Sequence, residues 1–118
     1  MRAPEHSLQV FTVNYLRWHD VFCFAVPNGG RRDIKTGAML KKEGVLAGVA
    51  DLIILLPRGE IIFVELKNGK KGTQSESQKQ FQKKVESLGF TYLVWRETQD
   101  CVDFVNGLKK VLRSEEIL

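Results

Sequence analysis

Apolar positions along the chain alternate between helical and strand-like spacings. After Pro4, the segment "EHSLQVFTVNYLRWH" repeats Leu8, Phe11, Tyr15 and Trp18 at intervals of three and four, which predicts an amphipathic helix with Glu5 in its first turn. "VFCFAVP" is dense in β-branched and aromatic residues and runs into the turn former "PNGG", so it predicts a strand. The basic stretch "RRDIKTGAMLKKEG" leaves room for a short helix over Thr36 to Glu43, closed by Gly44. The runs "DLIILL" and "IIFVELK" are apolar at both odd and even positions, the pattern of central strands covered on two sides. A further helix begins at "SESQKQF", where Ser75 and Gln78 match the S-x-x-Q capping box, and Gly89 ends it. "FTYLVW" predicts another strand, and Asp100 to Leu112 a last helix with Val102, Val105, Leu108 and Leu112 turned inward. This order predicts an α/β domain: a mixed central β-sheet flanked by helices.

Three charged residues interrupt the two central runs. Asp51 shares a strand face with Ile53 and Leu55, and Glu65 and Lys67 share one with Ile61 and Phe63. If "PRGE" joins the strands through a three-residue loop of Arg58, Gly59 and Glu60, Asp51 falls opposite Lys67 and Ile53 opposite Glu65, and all three charges point one way. An ion-pair cluster is the plain structural reading. One ammonium does not neutralise two carboxylates, however, and like charges sharing a site resist double ionisation unless a divalent metal binds. Asp and Glu are hard oxygen ligands suited to Mg²⁺ or Mn²⁺, and a neighbouring Lys can orient an attacking water or steady a phosphate.

Composition narrows the class. With 118 residues, 43% of them hydrophobic, the chain supports one domain over 1–118. Cys23 and Cys101 lack CxxC spacing and read as two reduced thiols. Eighteen basic against 14 acidic residues give a net charge of +4, which favours an anionic partner. No apolar run approaches the roughly 20 residues of a membrane span, and "MRAPEHSLQV" lacks a signal-peptide core, so a cytoplasmic protein without a membrane partner is expected.

Asp51 followed by Glu65-Leu66-Lys67 on the next strand resembles the PD-(D/E)xK nuclease motif. Its surroundings, "VPNGG", "GVADLIIL", "IIFVELK", "SESQKQF" and "LGFTYLVW", resemble the VRR-NUC family of that superfamily in the same order and over most of the chain. The resemblance implies a restriction-endonuclease-like core and a metal-dependent endonuclease acting on DNA in replication, repair or recombination, with branched or four-way substrates among those expected. It implies that Asp51, Glu65 and the Leu66 carbonyl bind Mg²⁺ or Mn²⁺, that Lys67 serves the nucleophilic water, that Glu5 completes the metal site and that Gln78 supports it. The family's proline before the aspartate is Ala50 here, which touches backbone stiffness and no ligand. A stand-alone domain of this kind implies a bacterial cell or, for a viral protein, the host cytoplasm, and needs no small-molecule cofactor.

Each role has a competitor. Glu5 also suits the positive end of the first helix, and Gln78 also suits the capping box, two roles that one amide is not expected to fill together. Lys70 and Lys71 in "NGKKGTQ", with Arg31 and Arg32 after the "NGG" turn, are placed as a positive rim for phosphates, and Asn28, foremost a turn former, is placed with them as a DNA contact. Lys79, Lys83, Lys84, Lys109 and Lys110 read as a solvated surface, and His6 and His19 are given no role. Cutting both strands of DNA needs two sites, so a C2 homodimer is expected. A DNA-binding module without activity is the alternative.

Overall fold

The computed structural model describes residues 3–27 and 34–117. Ten segments follow one another: helix α1 (Ala3–Trp18), strand β1 (Phe22–Ala25), helix α2 (Ile34–Lys42), strand β2 (Leu52–Leu56), a 3-10 turn (Pro57–Gly59), strand β3 (Glu60–Leu66), a second 3-10 turn (Gly69–Lys71), helix α3 (Glu76–Ser87), strand β4 (Thr91–Trp95) and helix α4 (Thr98–Ile117). The four strands form one sheet in the order β1-β2-β3-β4, antiparallel between β1, β2 and β3 and parallel between β3 and β4. α3 makes the crossover that parallel strands require.

One face of the sheet carries Cys23, Leu52, Ile54, Ile62, Val64, Leu66 and Trp95, packed with α1 and α4 into the main core. The other carries Phe63, Tyr92 and Val94 beneath Phe81 and Val85 of α3. That second cover is partial: at the β1 side Phe22 is 65% exposed, and Phe24 and Leu55 are also open. β2 and β3 are therefore central in the sheet but fully covered on one face only. Cys23 and Cys101 are free thiols in the main core.

Two sequence expectations shift. α1 does not bury its aromatic stripe; Leu8, Thr12 and Leu16 face the sheet, while Trp18 is 84% exposed. An i, i+4 ridge of branched groups packs closest, while Phe11, Tyr15 and His19 follow one another with ring centroids 5.5 and 4.6 Å apart, Tyr15 half-buried against the rim of the main core and Phe11 exposed. The hairpin loop also has three residues, but they are Pro57 to Gly59. Leu56 pairs with Glu60 and Leu52 with Val64, so the register moves by two from the expected one. Pro57 has no N–H to give the ladder, and Arg58 and Gly59 both turn left-handed (φ 67° and 75°), which closes the loop before Glu60. An odd loop keeps the parity, so Asp51 now continues the register level with Glu65, not with Lys67.

Candidate active site

β1 and β2 extend their pairing one residue beyond the strands, with Val26 N donating to Asp51 O at 2.8 Å. β2 and β3 part at Leu52–Val64, and the Asp51 carboxylate takes over as acceptor: Leu66 N donates to Asp51 Oδ2 at 2.8 Å. A buried N–H must find a partner, and this one fixes the aspartate beside the end of β3.

Glu65 is the most constrained group. Its side chain is 1% exposed, Gln78 Nε2 donates to Oε1 at 2.9 Å and the Tyr92 hydroxyl donates to Oε2 at 3.3 Å. Tyr92 in turn accepts from Gln74 Nε2 at 3.2 Å. Burial pushes the Glu65 carboxyl from 4.5 up to about 9, and the Asp51 carboxylate beside it, accepting a hydrogen bond from the protonated form and repelling the charged one, adds to the rise; Lys67 and Tyr92 only partly oppose it. Burial likewise raises the Tyr92 hydroxyl, and the neighbouring Glu65 adds to that shift.

Gln78 overturns the expectation that capping and site support exclude each other. Its backbone N donates to Ser75 Oγ at 3.2 Å and its Oε1 accepts from Ser75 N at 2.8 Å, a complete capping box. The same Oε1 accepts from Lys67 Nζ at 2.8 Å, and Nε2 serves Glu65. An amide oxygen has two lone pairs and its nitrogen two protons, so one side chain can do all of this when the helix start lies against the strand. Gly48 brings it there: with φ at 84°, it packs so closely that a Cβ would fall on the Ser77 carbonyl and 2.8 Å from Gln78 N.

Asp51, Glu65, Lys67 and Gln78 thus converge, with the Leu66 backbone among them. Glu5, half-buried in the first turn of α1, does not join them: among the described residues no three His, Cys, Asp or Glu side chains gather as a metal cluster. Lys70 and Lys71 are exposed on the turn just after Lys67. Asn28, Arg31 and Arg32 lie outside the described residues.

No sequence-family model and no curated protein matches the chain. Solved structures do. One described as a VRR_NUC domain superposes with a TM-score of 0.66 at 18% identity, over 89% of this chain and 97% of the other. A second, described as a VRR_NUC domain protein, gives a TM-score of 0.73 at 20% identity, over 91% of this chain and 88% of the other. The fold is that of a VRR_NUC domain. It is an α/β fold, a mixed four-stranded sheet flanked by helices.

On this VRR_NUC fold the clustered residues come from the end of β3, the residue before β2 and the first turn of α3. Sequence reading missed Tyr92, Gln74 and Gly48. Tyr92 stands in an apolar strand and declares itself only once β4 is paired in parallel with β3, level with Phe63. Gly48 had a signal, a glycine just before the Asp51 strand, but its partner is backbone thirty residues away.

Proposed function

We propose that this protein is a divalent-metal-dependent nuclease that hydrolyses DNA phosphodiester bonds. The observation that carries the reading is Glu65: a 1% exposed carboxyl, oriented by Gln78 and Tyr92, set against a second carboxylate and favouring a proton over its own charge. A core built for stability alone gains from an apolar or amide residue there. The nuclease-type fold supports the same reading.

The donor set fits a hard divalent cation. Asp51 and Glu65 offer carboxylate oxygens, and Mg²⁺ or Mn²⁺ would be held by them with the Leu66 carbonyl, leaving further positions to water and phosphate oxygens. Glu5 retains the simpler role of a charge at the positive end of α1. When bound, the metal supplies Lewis-acid charge and a more acidic water. The chain's own residues do the rest. Lys67 spends one ammonium proton on Gln78 and has two left for a water or a phosphate oxygen. Gln78 ties that ammonium to Glu65, and Tyr92 restrains the second Glu65 oxygen from turning away. Lys70 and Lys71 bring phosphates toward the pair by charge. Branched or double-stranded DNA is the proposed substrate, in replication, repair or recombination, with a C2 homodimer cutting opposite strands.

Nicking of supercoiled plasmid with Mn²⁺ or Mg²⁺ tests the reading. Wild type is expected to nick, EDTA to stop it, and Asp51→Asn or Glu65→Ala to lower the rate by roughly a hundredfold or more. Unchanged nicking in Glu65→Ala rules the mechanism out. Binding with no nicking by wild type in either metal leaves the silent DNA-binding module.

A further inference from the structure

β3 and β4 run parallel, so their C-terminal ends open on one edge of the sheet. The pairing continues a step beyond them: Lys67 N donates to Trp95 O at 3.0 Å and Gly69 N to Arg96 O at 3.2 Å. Alternation then sets Arg96 on the sheet face that holds Tyr92 and Val94 in β4 and, one strand across, Glu65 and Lys67.

The Arg96 guanidinium is engaged on one side. Nη1 donates to Gly69 O at 2.9 Å and to Gly72 O, closing the turn that carries Lys70 and Lys71. That turn is tight in its own right, with Gly69 at φ 56° and Gly72 N donating to Asn68 O at 3.2 Å. Asp100, the nearby acid, accepts from the backbone N of Arg96 at 2.8 Å and of Glu97 at 3.2 Å, not from the guanidinium. Nε and Nη2 have no partner among the described residues. These two nitrogens form the edge of an arginine that matches two phosphate oxygens at once. From Leu66 to Ser75 the chain has no acidic residue, so nothing on the turn competes for that edge.

We propose that Arg96 is a phosphate-binding residue for nucleic acid: its Nε–Nη2 edge takes one backbone phosphate bidentately while Nη1 holds the Lys70–Lys71 turn beside it. The inference rests on the nuclease reading and adds to it the contact that docks the strand next to Asp51 and Glu65. Pinning Nη1 to two carbonyls fixes the guanidinium plane in advance, so little freedom is left to lose on binding.

Binding of a fluorescent DNA duplex, with Ca²⁺ in place of Mg²⁺ and over a series of KCl concentrations, tests it in wild type, Arg96→Ala, Arg96→Gln and Arg96→Lys, each checked by thermal melting. Arg96→Ala and Arg96→Gln are expected to weaken binding about tenfold at low salt and to lower the slope of log K against log salt by about 0.9, one phosphate contact. Arg96→Lys is expected to keep the slope and recover part of the affinity. Weakened binding with an unchanged slope means that Arg96 only shapes the turn, and unchanged binding removes it altogether; either overturns the proposal. If Arg96→Ala does not fold, the Gln and Lys variants decide by their difference in slope. Displacement of the duplex by inorganic phosphate as readily as by unlabelled DNA would assign the edge to free phosphate instead. Failure of wild type to bind DNA at any salt strikes the nuclease reading; binding by wild type with an indifferent Arg96 strikes this inference alone.

Discussion

At the scale of single residues, Glu65 ties stability to pH. Its folded-state value of about 9 against an ordinary 4.5 means that the folded chain keeps a proton the unfolded chain releases between those values. The resulting stability is fully present below about pH 4.5 and is lost as pH rises through 9. In EDTA, the Tm of wild type is therefore expected to fall between pH 5 and pH 9 by more than about 4 °C, the shift that about 1 kcal/mol makes in a chain of this size. Glu65→Gln, which keeps the shape without the titration, should remove most of that slope; an equal slope in the variant would clear Glu65 of the effect. Millimolar Mg²⁺ should raise the wild-type Tm more at pH 8 than at pH 5, where protons compete for the same oxygens, and should leave Glu65→Gln nearly unmoved. The identity of this pair was legible in the sequence because ionisable groups stand out in apolar runs. Tyr92 was not, because an aromatic in a strand reads as core whether or not its hydroxyl holds a carboxylate.

At the scale of elements, most helices and strands were legible from spacing and caps: Ser75, Gln78 and Gly89 bracket α3, and β-branched runs mark the strands. Facing and register were less so. The inner ridge of α1 is Leu8, Thr12 and Leu16 because close packing on the sheet outranked aromatic content, and Thr12 carries no hydrophobic signal to betray it. The hairpin slid by two because a proline's missing N–H and two left-handed residues decide where a ladder stops, and pattern alone fixes only parity. The contact of Gly48 with the start of α3 is tested by Gly48→Ala, expected to cost about 2 kcal/mol or more in urea denaturation, since the new methyl meets backbone and φ is positive. Nicking should fall with it, as Gln78 moves with the helix. Gly107→Ala in α4, where a Cβ meets nothing within 4 Å, should instead gain about 0.5–1 kcal/mol. Equal effects at the two glycines would deny the contact any special part.

At the scale of the whole molecule, the described chain is long and flat, 55 × 31 × 22 Å, with the carboxylate pair where the two central strands end, at the margin formed by the C-terminal ends of β3 and β4. On the nuclease reading, one such margin would reach one strand of a duplex. Two-strand cutting thus calls for a symmetric pair of chains, and sedimentation velocity should give twice the mass of one chain, with supercoiled plasmid passing to linear form in step with the nicked circle. A single-chain mass with nicked circle formed first would assign the protein to single-strand cutting. The turn at Arg58–Gly59 divides this machinery unevenly. Of the residues gathered at the site among the described ones, Glu65, Lys67, Gln78, Tyr92 and Arg96 follow it and Asp51 precedes it. On the nuclease reading, a chain severed there would leave Asp51 on one fragment and its partner Glu65 on the other, neither competent by itself, so reunion of the two halves would be read directly from the return of cleavage.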